Sequence, residues 1–522
     1  MRPLSVVILS GVLAFFGAAA YAQERGGTLT AIIQPEPPIL MVGVNIQGPT
    51  QTVAGKIYQS LLTYGFDLKP QPVLAKSWTV SDDGLTYTFK LQENVRWHDG
   101  KPFTADDVLF SCMTFLPETN PRARLTFSRV QEASAPDPHT VVFRLKEPFA
   151  PFLGAFEMGS APMIPKHLYE GTDYRSNPAN QTPIGTGPFK FGEWKRGQYI
   201  RLVRNDDYWK PGLPYLDQIV FRVIPDAASR RIALESGETQ LSSFDNVEWF
   251  DLPALRANPA LNYTDMGYEF FSPHAWMEIN HRVPPFGDKR FRQALLYALD
   301  RTFIRDRLFF GQGKIATGPI SSTTRFYSDD VKRYDFDLKK AEGLLDEMGL
   351  PRKTDGKRAA IKLLVMPYGE TWTRLAEYAK QAWAKIGVET TLETTDAGAW
   401  AQRVANWDYQ ITFDYTYQYG DPALGVSRTY LSSNIKRGVL LNNTMGYVNP
   451  EVDALFNEAA VSPSDNKRAE LYAKVQKLLV EDVPVLWLLE MKFLTFTNKR
   501  VHGLVSTGIG VNDSFEAVYL SK

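Results

Sequence analysis

Ile361-Lys362-Leu363-Leu364-Val365-Met366 opens the stretch that decides the fold. A stripe of Leu375, Tyr378, Ala379, Ala382, Trp383 and Ile386 follows, then Gly387, then Val388-Glu389-Thr390-Thr391-Leu392-Glu393. The first run is short, apolar and rich in strand formers. The stripe recurs at the three- and four-residue spacing of a helix with one buried face. Gly387 supplies the usual stop, and Val388–Glu393 begins at once as a second strand. Strand, helix and strand joined this closely form a βαβ unit, in which the helix covers a parallel sheet. The chain is therefore of the α/β class.

Working outward, the same alternation of helices and strands runs from about residue 288. Asp288 is placed to cap a helix whose Phe291, Ala294, Leu295, Ala298 and Leu299 share one face. Leu338 to Met348 reads as a helix closed by Gly349, and Lys467 to Val480 as another. The apolar run Val485 to Thr495, after Pro484, is expected as one strand. The N-terminal half is richer in strands: 27–34, strands within 73–91 joined at Ser81-Asp82-Asp83-Gly84, 139–145, 199–204 and 218–224. Thr104 and Asp107 form a capping-box-like start to a helix. Gly185-Thr186-Gly187-Pro188-Phe189 has two glycines but no following Lys-Ser/Thr and no strand–turn–helix setting, so it reads as a structural turn and not a phosphate loop.

Met1-Arg2, the uncharged run Leu4 to Ala20 and the small-residue exit Ala20-Tyr21-Ala22 have the three parts of a secretory signal peptide, residues 1–22, cleaved near Ala22. The run is shorter than a bilayer span of roughly 20 residues. The single cysteine, Cys112, excludes an internal disulfide and is expected buried and inert. No cysteine stands near the cleavage point to take a lipid, which points to a free protein of a Gram-negative periplasm. The hydrophobic share of 44% and the charged share of 22% are those of a folded chain, and 522 residues allow two or three domains. The formal net charge is zero, which argues against a nucleic-acid partner. The chain has no G-x-S-x-G and no H-E-x-x-H, and its six His are scattered. No catalytic residue, metal site or cofactor is expected, and the balance moves toward binding.

Three segments then carry a resemblance: Pro72-Val73-Leu74-Ala75-Lys76-Ser77-Trp78, Ser81 to Phe89, and Val95-Arg96-Trp97-His98-Asp99-Gly100-Lys101-Pro102-Phe103-Thr104-Ala105-Asp106-Asp107-Val108. It continues through Gly185 to Phe189, Phe291 to Arg301, Gly420-Asp421-Pro422 and Asp482-Val483-Pro484-Val485. Together these resemble the family 5 extracellular solute-binding proteins, the peptide- and nickel-binding receptors of ABC importers, over essentially the whole mature chain. The resemblance implies a two-lobed periplasmic-binding-protein fold with an inserted small subdomain. Lobe I would be 23–54, 184–272 and 491–522, the insertion 55–183, and lobe II 273–490. Two chain crossovers and the returning terminal strand would form the hinge. It implies a monomeric receptor, not an enzyme, that captures a peptide-like or other small solute and delivers it to a membrane permease driven by a cytoplasmic ATPase.

The expected ligand residues follow partly from that resemblance and partly from the chemistry of the side chains themselves. Dipeptide-binding members carry an acid just before Gly-Asp-Pro, where it pairs with the peptide amine; the matching position is Gln418. An amide cannot neutralise a buried ammonium, so Gln418 favours an oligosaccharide, opine or other carboxylated solute, unless Asp414 or Asp421 takes the role. Tyr415, Tyr417 and Tyr419 would point to one side of an alternating strand, with Thr416 and Gln418 on the other. Arg428 is a candidate anion clamp, and Trp276 and Trp400 are further candidates. An exported hydrolase and a promiscuous chaperone are the rival classes.

Overall fold

The computed structural model describes residues 25–522, and the leader read at 1–22 lies outside them. Ala359–Leu364 and Val388–Glu393 are parallel neighbours in register from Ala359↔Val388 to Leu364↔Glu393. The helix Glu370–Lys385 connects them and buries Trp372, Leu375, Ala376, Ala379, Ala382 and Trp383. Gly387 takes φ +80°, a left-handed turn that a side chain would strain. These elements form one end of a six-stranded sheet. Its order is Lys314–Ile315, Val485–Glu490, His274–Ile279, Ile411–Thr416, Ala359–Leu364, Val388–Glu393.

A second sheet has seven strands, ordered Leu261–Thr264, Thr495–Asn498, Leu241–Ser242, Thr28–Ile33, Gln218–Val223, Tyr199–Arg204, Phe189–Lys195. A four-stranded antiparallel sheet, Ala75–Val80, Thr86–Leu91, Thr140–Leu145 and Val130–Asp137, is set apart from both. The fold is the two-lobed α/β architecture of periplasmic binding proteins. Two passages of chain join its large sheets. One runs from Thr264 to His274 and the other from Glu490 to Thr495. The single strand expected over Val485 to Thr495 is thus two strands, one in each sheet. Burial runs from Val485 to Phe496 with Lys492 the exposed exception, so the two strands and the passage between them read as one run.

Several local readings appear as expected. Asp288 caps Lys289–Tyr297, accepting from Arg290 N at 2.8 Å. The C-terminal helices span Leu338–Glu347 and Asp465–Asp482. Asp107 accepts from Thr104 N at 3.0 Å, and also from Trp97 Nε1 and Lys166 N. Cys112 is fully buried, and desolvation raises its thiol well above the ordinary range. Among the described residues no helix is long and apolar enough to cross a membrane.

The Gly185–Gly187 turn has a packing reason for its glycines. A Cβ at Gly185 would stand 1.9 Å from Ile57 O, and one at Gly187 2.5 Å from Lys56 O. Gly187 N donates to Ile57 O at 2.8 Å, so the turn lies backbone to backbone against 56–57. Gly185→Ala is expected to destabilise the protein by about 1–3 kcal/mol through overpacking; an unchanged urea midpoint would refute this packing role.

Candidate interlobe binding site

In open sheets with parallel strands, ligands bind beyond the carboxyl ends of the strands. Both large sheets point such ends at one cleft. From the seven-stranded sheet come Ile33, Gln34 and Pro35, just past Thr28–Ile33, and Phe244, Asp245 and Asn246, just past Leu241–Ser242. From the six-stranded sheet come Met366 and Tyr368, past Ala359–Leu364, and Asp414 to Tyr417, at the end of Ile411–Thr416. Gln47, Gly48, Pro49 and Thr52, from Gly48–Ala54 and its cap, form a further wall. The space between them, including the part open to solvent, is about 900 Å³.

Aromatic packing shapes the second wall. Tyr415 lies parallel to Trp372 at 5.9 Å between ring centroids, and Tyr417 meets Tyr419 edge-on at 6.1 Å. Tyr419 has φ +52°. Its ring carries the Arg122 guanidinium at 3.5 Å, with the Arg428 guanidinium 5.9 Å from the same centroid. Arg122 in turn lies 3.8 Å from buried Glu157.

The charges in the cleft are few and strongly perturbed. Arg428 is buried and donates through Nε to Gly425 O at 3.3 Å. No protein hydrogen bond engages its two Nη groups among the described residues. Burial lowers its pKa, but a guanidinium stays charged. Burial lifts Asp414 well above the carboxylate range; Glu278 adds to the shift and Arg428 opposes it. Glu278 itself is pushed up to about 7 by burial while it accepts from Tyr409 OH at 2.7 Å and from Thr444 Oγ1. Asp245 is raised to about 6, chiefly by desolvation.

Of the residues expected at the ligand, Tyr417, Tyr419, Arg428 and Trp400 stand on the cleft wall, as does Asp414. Trp400 shows only its ring, since its Nε1 donates to Thr412 Oγ1 at 2.9 Å. Three others point elsewhere. Gln418 is buried under the wall; its amide donates to Pro319 O and contacts His274 Nδ1, both at 2.9 Å, and accepts from Ser321 N at 2.9 Å. Asp421 caps Pro422–Gly425 and pairs with Arg468 through both oxygens, at 2.7 and 2.8 Å. Trp276 is buried mid-strand, paired with Asp414 on one side and Trp487 on the other. The expected alternation fails beyond Thr416, where the strand ends, and Tyr415 and Thr416 both reach the cleft.

Sequence reading missed Asp245, Asn246 and Tyr368. Tyr368 could have been found, because it follows the first strand of the βαβ unit. Asp245 follows a strand of two residues, too short to leave a periodic signal. Among the described residues no group of three or more His, Cys, Asp or Glu is placed to hold a metal.

Two lobes hinged by two chain passages, with a cleft lined from both, define a solute-binding protein. Residues 69–437 match the Bacterial extracellular solute-binding proteins, family 5 Middle. The dipeptide-binding protein of Escherichia coli K12 is 30% identical over 465 residues, covering 84% of each chain. The oligopeptide-binding protein AppA of Bacillus subtilis, solved with a nonapeptide, superposes with a TM-score of 0.86 at 27% identity, covering 96% of this chain and 100% of that one. The PBP AgaA of A. tumefaciens R10, solved with agropinic acid, gives 0.83 at 25% identity, covering 95% and 99%. The chain belongs to the family 5 bacterial extracellular solute-binding proteins. It is a solute receptor of the ABC-importer type and not an enzyme.

The buried Asp421–Arg468 pair, in which Nη2 donates to both carboxylate oxygens, is structural in this geometry. Removing one partner of a buried pair costs about 3–5 kcal/mol. Asp421→Ala is expected to lose that stability in urea unfolding while the folded fraction keeps its solute affinity; selective loss of affinity at unchanged stability would return Asp421 to the cleft.

Proposed function

We propose that the protein is a periplasmic receptor, released by removal of residues 1–22, that captures a small peptide-like solute bearing a carboxylate in the interlobe cleft. The closed, loaded form then delivers it to an ABC-type import permease. Lobe I is taken as 23–54, 184–272 and 491–522, the inserted subdomain as 55–183, and lobe II as 273–490; strand membership of the sheets supports this division. The observation that carries the reading is Arg428, a buried guanidinium on the cleft wall with two uncommitted Nη groups. Such a fork matches a carboxylate bidentately. Asp414 and Asp245 would receive a solute amine. Solute favours the closed state by touching both lobes at once, which is differential affinity.

A second reading has its own support. Gln418 occupies the position matched to the amine-pairing acid, and all its polar atoms are spent inside the lobe. Both cleft acids are held toward their neutral forms. This favours an opine, oligosaccharide or other carboxylated solute without a free amine.

Native mass spectrometry of the gently purified protein, then identification of the released solute, tests both readings. A carboxylated solute is expected, and a hydrolysed product or no one-to-one complex with any carboxylated compound would refute the proposal. The pH dependence separates the readings. An ammonium facing Asp245 needs the carboxylate form, so affinity should rise on the order of tenfold per unit as pH climbs toward 6. An amine-free anion prefers the protonated form, so its affinity should fall over pH 5–7.

A further inference from the structure

A second cavity lies on the six-stranded lobe, and it shares no lining residue with the interlobe cleft. It forms where the turn at 301–308, the edge strand Lys314–Ile315 and the segment 332–335 meet, and encloses about 910 Å³ including the part open to solvent. Its charged lining is Arg301, Arg305, Lys314, Lys332, Arg333 and Asp335. Five cations thus face a single acid.

Arg301 is the floor of this cavity. Three segments hold its guanidinium through carbonyls: Nη1 donates to Ala316 O at 2.8 Å and Trp487 O at 3.1 Å, and Nη2 to Tyr334 O at 2.8 Å. No carboxylate forms an ion pair with it among the described residues. Asp335 acts on it only through space, while Arg333 repels it, and burial lowers its pKa to about 10. The carbonyls accept its hydrogen bonds, and no carboxylate among the described residues touches it. Lys314, on the edge strand, likewise lacks an ion-pair partner among the described residues and sits 5.1 Å from the Tyr327 ring centroid. The other cations reach outward to exposed acids. Arg305 bonds Asp306 at 2.6 Å, Lys332 bonds Glu481 at 3.0 Å, and Arg333 lies 4.0 Å from Asp329. Exposed pairs of this kind are weak and easily exchanged. A concave site with low-dielectric walls concentrates such a field on whatever anion enters it.

We propose that this cavity is a second ligand site, which takes a small multivalent oxyanion of the phosphate or polycarboxylate kind between Arg301, Arg305 and Lys314. It acts independently of the solute cleft, and its occupant supplies Arg301 with the anionic partner that its three carbonyl contacts do not.

Calorimetric titration of the mature protein with sodium phosphate, and separately with sodium citrate, in a low-chloride buffer tests the proposal. Saturable one-to-one binding of at least one anion is expected. It should weaken at least tenfold in the Arg305→Glu/Lys314→Glu variant, whose changes lie at the cavity mouth and leave Arg301 in place. Thermal unfolding would check that this variant is folded. Binding should persist in Arg428→Ala, which removes the anion clamp of the interlobe cleft. The proposal is overturned if neither anion binds saturably. It is equally overturned if binding survives the double substitution in a folded protein, or vanishes with Arg428→Ala, because the anion would then occupy the solute cleft.

Discussion

Met491–Leu494, four residues, carry the chain from Val485–Glu490 in one sheet to Thr495–Asn498 in the other. That passage limits how far the lobes can part, since an extended chain spans at most about 3.6 Å per residue. The other passage is tied to it. Met491 N donates to Pro273 O at 2.8 Å, and Tyr268 OH shares a hydrogen bond with Thr495 Oγ1 at 2.7 Å. Phe493 fills the junction, with Phe244, Trp249, Tyr268 and Tyr415 rings all within 5.9 Å of its own, centroid to centroid. Two of those rings, Phe244 and Tyr415, also line the cleft. The passage between the sheets and the cleft wall therefore share one aromatic assembly.

The distribution of polar groups follows from this arrangement. Several polar side chains on and beside the cleft wall are spent within the protein. Asn246 accepts from Gln34 N at 3.1 Å and donates to Ile32 O at 3.3 Å, fixing two cleft-lining loops to each other. Gln418 and Asp421 are similarly consumed. At the cleft the protein keeps donors and acids in reserve: Arg428 retains two Nη groups, and burial shifts the Asp245 and Asp414 pKa values upward. An unpaired buried polar group is costly, and a solute that meets these groups recovers that cost on binding. This is a physical basis for a closed state that depends on its ligand.

Much of the fold was legible in the sequence, because the βαβ unit at 361–393 announces itself by period and by Gly387. The division of Val485–Thr495 between two sheets was not, since hydrophobicity reports burial and not which sheet does the burying. Of the site, Arg428 and the tyrosines could be named from their chemistry and their place near Gly420-Asp421-Pro422. Gln418 and Asp421 share that neighbourhood and that polarity, yet the end of the strand at Thr416 and the partner Arg468, far along the chain, turn them inward. Sequence proximity to a motif marks a loop; which way each side chain faces is set by tertiary partners that no local pattern encodes.

The central claim is that a solute holds two hinged lobes together through this cleft. Spin labels at Lys195→Cys and Glu389→Cys, exposed positions on the outer strands of the two large sheets, report the interlobe distance, while buried Cys112 stays unlabelled. Pulsed electron–electron resonance would compare protein isolated with its solute against protein stripped by unfolding, dialysis and refolding. The account predicts a longer and broader distance distribution in the stripped protein, and a return to the shorter one when the released solute is added back. Identical distributions in the two preparations would contradict it.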